Sequence, residues 1–535
     1  MKLSQLAAEA LAYAQELTGD CDIQSLSADS REQTRQGLFF CIRGEHVDSH
    51  RFAEQAVKNG AAALMVSDFL PHIQVPQLKV SDDRAAMALI ARAFYGSPDL
   101  EMKLVGITGT KGKTTTSYLV KAILEQAGHA CGLIGTTGNM VGDQWMNSTL
   151  TTPDPIDLHK TLRQMADAGC QYVVMEVSAH ATWMRRLEGL SFEAGCFTNL
   201  SQDHLDVFGS MENYFQAKRD FFTKYTVKNA VLSLDDSWSA RLMQELTMPK
   251  VSYAICTNAD LFARDIQIEE GGVSFMLSLW NEKYYPVHLQ LMGMFNIYNA
   301  LAAAGIGLVM GVAPEIICAA LESVSSVPGR AEVLETNTDY KVVLDYSHSP
   351  DALENILTAI REFIKGRIIV VFGCGGDRDQ GKRPAMADIG GRLADYAILT
   401  SDNPRTEDPY AILAAIEEGI KPTGGEYTVI ENRREAIRHA LEMGREGDVI
   451  ILAGKGHETY QEVMGVKRPF DEKVVVAELL AGIGHSREIE QAVRDAGAVP
   501  ATIGMVAGEL VVGLDDDELS RLATADGVTK LSVRD

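Results

Sequence analysis

Short apolar runs alternate with helix-like stretches along most of the chain. In residues 1–100 a short amphipathic helix is followed by strand-like GLFFCI (37–42) and AAALMVS (61–67). Helix-like AEQAVKNG (53–60) lies between them and places its glycine at the C-cap. These elements predict a small α/β domain over 1–100. From Lys103 the pattern changes: LVGIT (104–108) reads as a buried strand that enters a glycine loop, followed by a helix from about Thr114 to Gly128. YVVMEVS (172–178), AGCFTNL (194–200) and NAVLSLD (229–235) continue the alternation, which predicts a mostly parallel sheet in a central domain over 101–330. A turn at Pro328-Gly329-Arg330 marks the next boundary. YKVVLDYS (340–347), RIIVVFGC (367–374), YAILTSD (396–402) and GDVIILAGKG (447–456) predict a second α/β series over 331–482. Residues 483–535 stand apart, with helix–strand–helix character, and no short-period repeat or low-complexity segment occurs.

Composition narrows the class. The 535 residues are 46% hydrophobic and 23% charged, which suits a soluble globular protein and excludes a disordered or collagen-like chain. The net charge of −24 argues against sequence-independent binding to nucleic acid or to an anionic membrane, since both need a basic face. The eight cysteines are scattered with no C-x-x-C pair, so neither a zinc knuckle nor a disulfide framework is indicated, and a reducing cytoplasm fits best. The N-terminal segment has no signal-type apolar core, and no run of about 18 apolar residues predicts a membrane span.

The loop Gly109-Thr110-Lys111-Gly112-Lys113-Thr114-Thr115 follows a strand and opens a helix. Such a loop cradles phosphate oxygens with backbone N–H groups, and the helix N-terminus adds its dipole. Lys113 is placed to reach the β- and γ-phosphates of a nucleotide, and the Thr114 hydroxyl to ligate Mg²⁺. Ile107 stands where the strict pattern has glycine. Glu176 ends a buried apolar run; Asp203, His204 and Asp206 end another, and Lys218 follows in a helical segment. Read from the residues alone, Glu176 and His204 are either metal ligands beside the phosphates or solvated charges at strand ends.

GTKGKTTT (109–116), MEVSAH (175–180), NLSQDHLD (199–206), GMFNIYNALAA (293–303) and LDYSHSPDAL (344–353) occur in the order found in the Mur ligases, ATP-dependent enzymes that build the peptide stem of peptidoglycan. From about Leu26 to about Leu480 the chain resembles that family. Asp29-Ser30-Arg31, LTTPDP (150–155), GCGGDRDQGKRPAM (373–386), SDNPRTEDP (401–409) and GKGHETYQ (454–461) resemble the branch that adds the third amino acid to UDP-N-acetylmuramoyl-L-alanyl-D-glutamate. The resemblance implies three domains: a UDP-sugar-binding domain, a P-loop ATPase-like parallel sheet and a Rossmann-like domain. It implies that Gly109 to Thr115, Asn296, Asn299, Arg330 and Asp345 bind ATP. Lys113, Glu176, His204 and Lys218 would be the catalytic set, with Thr114, Glu176, His204 and a carbamylated Lys218 holding Mg²⁺. Ser30, Thr151, Thr152, Ser178 and Arg186 match positions that bind the UDP-sugar peptide. Asp402, Asn403, Pro404 and Arg405 form the tetrad that goes with meso-diaminopimelate, joined by Arg378, Gly454 and Glu458. An arginine fork suits the distal carboxylate of that amino acid. The implied partners are small-molecule substrates only.

Departures from the family pattern are Ala179, Met184, Val207-Phe208, Ala331, Ser347 and Ser349. Two other readings accompany the resemblance: an amide synthetase of the same fold acting on another carboxylate–amine pair, and a nucleotide-binding protein that lost the chemistry. After about Gly482 the chain, with GAVPATI and VGLDDDEL, resembles a fragment of pseudouridine-5′-phosphate glycosidase that lacks that family's catalytic stretches. A non-catalytic appendage is therefore predicted, with the acidic run Asp515 to Glu518 opening a solvated helix.

Overall fold

A computed structural model describes residues 1–44, 47–142, 144–146, 148, 150–269, 272–495, 503–506 and 509–512. They group into two compact units. The first comprises 1–332 with 349–364 and 378–382, and the second comprises 333–348, 365–377 and the remainder from 383.

Two sheets organise the first unit. In the N-terminal one, Ser25–Ser27, Gly37–Phe40, Ala61–Val66 and Gln77–Val80 run parallel, and Ala14–Leu17 adds an antiparallel edge. The helix Ala53–Lys58 ends before Gly60, which adopts φ +101° as a left-handed C-terminal glycine does.

The second sheet has twelve strands. Its parallel centre runs Lys250–Ala254, Ala230–Ser233, Ser191–Phe197, Lys103–Thr108, Tyr172–Glu176, Cys131–Gly135. The central strands are buried on both faces, so they read as continuous apolar runs rather than alternating ones. Beyond the parallel centre, Leu261–Glu269, Gly272–Leu279 and Lys283–Leu289 form an antiparallel meander. The helices Lys113–Gln126 and Met294–Val309 pack together, and their apolar faces join the main core. Lys103–Thr108 therefore ends at the glycine loop, with Tyr172–Glu176 and Ser191–Phe197 on either side. Residues that leave these three strand ends are brought into one neighbourhood, as is usual for parallel α/β sheets.

His159, on the helix Pro155–Asp167, is fully buried, and neither ring nitrogen has a hydrogen-bond partner among the described residues. Burial, with the nearby Arg92 cation, pushes its pKa down to about 3. Below pH 6.5 the unfolded chain takes up a proton that the fold refuses, so stability falls as pH falls from about 6.5 toward 3. Linkage puts the loss at about 2 kcal/mol by pH 5. His159→Leu is expected to flatten this acid limb, which thermal melts at pH 7 and pH 5 will show.

The second unit holds a parallel sheet in the order Lys341–Asp345, Val449–Ala453, Ile368–Phe372, Tyr396–Leu399, Tyr427–Val429. A long helix, Glu472–Asp495, carries the chain out of this sheet, and Ile503–Val506 and Glu509–Val512 pair as an antiparallel hairpin. The helix and strand expected in the tail are thus present. Its second helix, with Asp515 to Glu518, lies outside the described residues. No described helix is long and apolar enough to cross a membrane.

Candidate active site

The glycine loop is shaped by two backbone positions that side chains would spoil. Gly109 has φ +142°, and a Cβ there would collide with the Thr198 hydroxyl. Gly112 has φ +82° at the N-cap of the helix Lys113–Gln126, and a Cβ there would collide with the Asn299 amide oxygen. The loop is laced to the segment after Ser191–Phe197. Thr110 N–H donates to the Asn199 carbonyl at 2.9 Å, Lys111 N–H to Asn199 Oδ1 at 3.0 Å, and Ser201 N–H to Thr110 Oγ1 at 3.1 Å. Asn199 was not among the residues singled out from the sequence.

Lys113 Nζ donates to the carbonyls of Gly109 and Thr110, each at 2.9 Å. Lys218 Nζ, fully buried on the helix Met211–Thr223, donates to the same Gly109 carbonyl at 2.7 Å. Two lysines thus converge on one oxygen. Burial and the repulsion of Lys113 push the Lys218 amine well below the usual lysine range. Burial also lowers Lys113, against the opposing field of Glu176. Arg330 donates to the Thr114 hydroxyl at 3.0 Å. Lys111 pairs with Asp351 at 3.1 Å. Asn296 and Asn299 lie buried on the helix Met294–Val309; Asn299 donates to Asn296 at 2.9 Å, and its oxygen faces Thr116 and Gly112.

Glu176 is fully buried at the end of its strand. It accepts from the Thr136 N–H and hydroxyl, both at 2.9 Å, and Thr136 in turn meets the Thr151 hydroxyl at 3.0 Å. Thr152 donates to the Glu176 carbonyl at 2.8 Å and accepts from Ser178 N–H at 3.0 Å, while Arg186 donates to the Thr152 carbonyl at 2.7 Å. Thr151, Thr152, Ser178 and Arg186 therefore share one hydrogen-bonded network with Glu176. Thr136 ties Thr151 to Glu176, although a threonine after IG carries no sequence signal of its own. His204, at φ +53° with a half-exposed ring, opens a short helical turn and stacks edge-on against His180 at 5.3 Å. Ser30 sits apart in the turn after Ser25–Ser27, its carbonyl accepting from Asn59 at 2.8 Å.

The second unit contains a different cluster. Asn403 Nδ2 donates to Glu458 Oε2 at 2.9 Å, and Tyr346 to Glu458 Oε1 at 3.3 Å. Lys455 Nζ reaches both Asn403 Oδ1, at 3.1 Å, and Glu458 Oε2, at 3.2 Å. Gly454 adopts φ +113°, and a Cβ there would strike the Asp402 carboxylate. Gln461 donates to the Asp402 carbonyl at 2.8 Å. The Pro404 carbonyl lies so close to Gly376 that any side chain there would clash. Arg405, at φ +52°, donates from Nη1 to the Gly376 carbonyl at 2.7 Å and faces Glu462 at 3.8 Å. Asp345 accepts from the Ser347 hydroxyl, and its carbonyl accepts from Gly454 N–H at 3.0 Å. Arg378 lies on the short segment counted with the first unit. Lys455 and Tyr346 were missed from the sequence, where a lysine inside the glycine turn after VIILA reads as solvated.

Family models match in the same order as these sites. The Mur ligase family, catalytic domain model covers 22–95, the Mur ligase middle domain covers 107–307, and the glutamate ligase domain covers 329–456. A UDP-N-acetylmuramoyl-L-alanyl-D-glutamate–2,6-diaminopimelate ligase of Clostridium botulinum is 43% identical over 86% of this chain and 96% of its own length. The chain belongs to the Mur ligase family. A ligase of the same description from Clostridium acetobutylicum is 44% identical over 86% of this Mur ligase and 95% of its own chain. A solved structure under that description superposes with TM-score 0.62 at 32% identity, covering 86% and 96% of the two chains. The Thermotoga maritima MurF ligase in complex with ADP shares the fold, with TM-score 0.57 at 18% identity over 85% and 97% of the chains. Residues 481–535 match a separate model, Indigoidine synthase A like protein, consistent with an appendage on this Mur ligase. Like its family, the protein is an ATP-dependent ligase.

Proposed function

We propose that this Mur ligase joins meso-diaminopimelate to the D-glutamate γ-carboxylate of UDP-N-acetylmuramoyl-L-Ala-D-Glu, forming ADP and phosphate, in cytoplasmic peptidoglycan synthesis. The observation that carries the reading is the match, across nearly the whole length of curated diaminopimelate ligases, of a chain that keeps DNPR at 402–405 and GKGHE at 454–458.

A carboxylate does not acylate an amine at neutral pH unaided. ATP phosphorylates the γ-carboxylate, the amine attacks the acyl phosphate, and the tetrahedral adduct expels phosphate. Here the protein's work is positioning and charge neutralisation. Gly109 and Gly112 open the backbone around the phosphates, Lys113 neutralises them, and Arg330 steadies the Thr114 hydroxyl. The network from Glu176 through Thr152 to Arg186 sets the substrate carboxylate beside that loop.

Hard oxygen donors at Thr114 and Glu176 fit Mg²⁺, which takes one or two protein ligands beside phosphate oxygens and water. His204 and a Lys218 carbamate would supply further donors, the carbamate helping to hold a second Mg²⁺. When bound, Mg²⁺ supplies Lewis-acid neutralisation of the transferring phosphoryl group.

Lys218 has the chemistry for carbamylation: a buried amine that sheds its proton attacks CO₂, giving N-carboxylate and one proton. The product also removes the repulsion of Lys113. Protein equilibrated with ¹³C-bicarbonate is expected to show a carbamate carbon resonance that Lys218→Met lacks. We read the tail as non-catalytic. The overall reading is tested by mass spectrometry of the UDP-linked product formed from ATP, the UDP-dipeptide and diaminopimelate.

A further inference from the structure

The DNPR and GKGHE segments meet around a cation that no substrate contact above accounts for. The Lys455 side chain is 0% exposed. Its ammonium lies 3.1 Å from Asn403 Oδ1, 3.2 Å from Glu458 Oε2 and 5.8 Å from the centre of the Tyr460 ring. A lysine enclosed this way loses the hydration of its head group and the freedom of a long side chain, so a surface-type ion pair does not describe it.

The partners of Asn403 show what the ammonium does. Asn403 Oδ1 accepts from Lys455 and from the Glu462 N–H at 2.9 Å. With its oxygen held twice, the amide can only turn its NH₂ toward Glu458, which it meets at 2.9 Å. Glu458 Oε2 thus receives both Asn403 and Lys455, while Oε1 faces the Tyr346 hydroxyl. The backbone supports the same arrangement, since Glu458 N–H donates to the Lys455 carbonyl at 2.9 Å.

We infer that Lys455 is a positioning residue for the amino-acid substrate: it fixes the Asn403 amide and aims the Glu458 carboxylate, so that Glu458 can receive the distal ammonium of diaminopimelate. The inference rests on the amino-acid site proposed above. Lys455 itself touches no substrate; it acts through Asn403 and Glu458. Without it, Asn403 Oδ1 keeps only the Glu462 N–H and Glu458 Oε2 keeps only the Asn403 amide, so each side chain loses one of the contacts that orient it.

The test compares Lys455→Met, Glu458→Gln and the double variant in the full chain, with meso-diaminopimelate, ATP and the UDP-dipeptide as substrates. K455M is expected to raise KM for diaminopimelate by about tenfold or more, the scale of one lost charge-assisted hydrogen bond, with KM for ATP unchanged. kcat at saturating diaminopimelate should fall by less than KM rises, because Lys455 does not touch the reacting atoms. In the E458Q background K455M should add less than about threefold, because contacting residues do not act independently. An unchanged KM in K455M, a loss confined to kcat, or an equal effect in both backgrounds overturns the inference. If E458Q leaves KM for diaminopimelate unaltered, the site assignment itself fails. Lys455→Gln, which keeps a donor, is the second variant if K455M does not fold, and it should give a smaller rise in the same KM.

Discussion

Lys113→Met is expected to lower ATP-dependent phosphate release by at least about a thousandfold, the upper range for removal of one preorganised charge from a phosphoryl-transfer or oxyanion site. The side chain supplies the partly buried positive charge that opens the helix at the phosphate loop, and its ammonium already lies on the loop's own carbonyls at 2.9 Å. Methionine keeps the stem and removes the charge. Burial disfavours the ammonium in the fold, so the substitution relieves desolvation, and the melting temperature should not fall. Activity and stability therefore separate. A K113M protein that folds normally and retains activity within tenfold of the original would remove Lys113 from the catalytic set.

The second large effect is on stability. Arg433 and Glu472 pair at 2.7 Å with both side chains 0% exposed. Arg433 also donates to the Ala453 carbonyl at 2.9 Å, one residue before Gly454. Arg433 Nη1 and Glu472 Oε2 have no hydrogen-bond partner among the described residues, so the pair is closed but incompletely satisfied. Glu472→Leu strands a guanidinium that cannot shed its proton. Breaking a buried pair in this way costs about 3–5 kcal/mol. Because the domain bearing it is expected to melt about 2–4 °C lower per kcal/mol, calorimetry should show a drop of roughly 6–20 °C in one transition. The double variant Arg433→Met/Glu472→Leu should recover most of that loss, because an apolar pair carries no desolvation penalty. It should still raise KM for the amino acid, since the Ala453 carbonyl has lost its anchor. A double variant no more stable than E472L would contradict the ion-pair account.

Much of this was legible before any coordinates. LVGIT, YVVMEVS and AGCFTNL carry continuous apolar runs because their strands are buried on both faces, and the glycine loop follows the first of them. The antiparallel meander over 261–289 was not read: Leu261–Glu269 is interrupted by charged residues, Lys283–Leu289 is mostly exposed, and none of its strands carries a motif. Glu176 was legible as a carboxylate ending an apolar run, whereas Thr136, which holds it, lies 40 residues away with no local signal. Lys455 was hidden for another reason. A lysine in a glycine turn reads as solvated, and only the strand neighbours that bring Asn403 and Glu458 around it show that it is enclosed. Motif spacing identifies groups that ligands need; it does not identify the groups that hold those groups in place.

The most direct test of the central claim is the amine dependence of phosphate release. With ATP, Mg²⁺ and UDP-N-acetylmuramoyl-L-Ala-D-Glu present, release should depend on meso-diaminopimelate and yield the UDP-linked tripeptide. L-lysine, which lacks the distal carboxylate that Arg405 is proposed to meet, should support little release. Release with L-lysine in preference to diaminopimelate would contradict the assignment of the selector at 402–405, and silence with both amines from protein that binds ATP would contradict the proposed substrate pair.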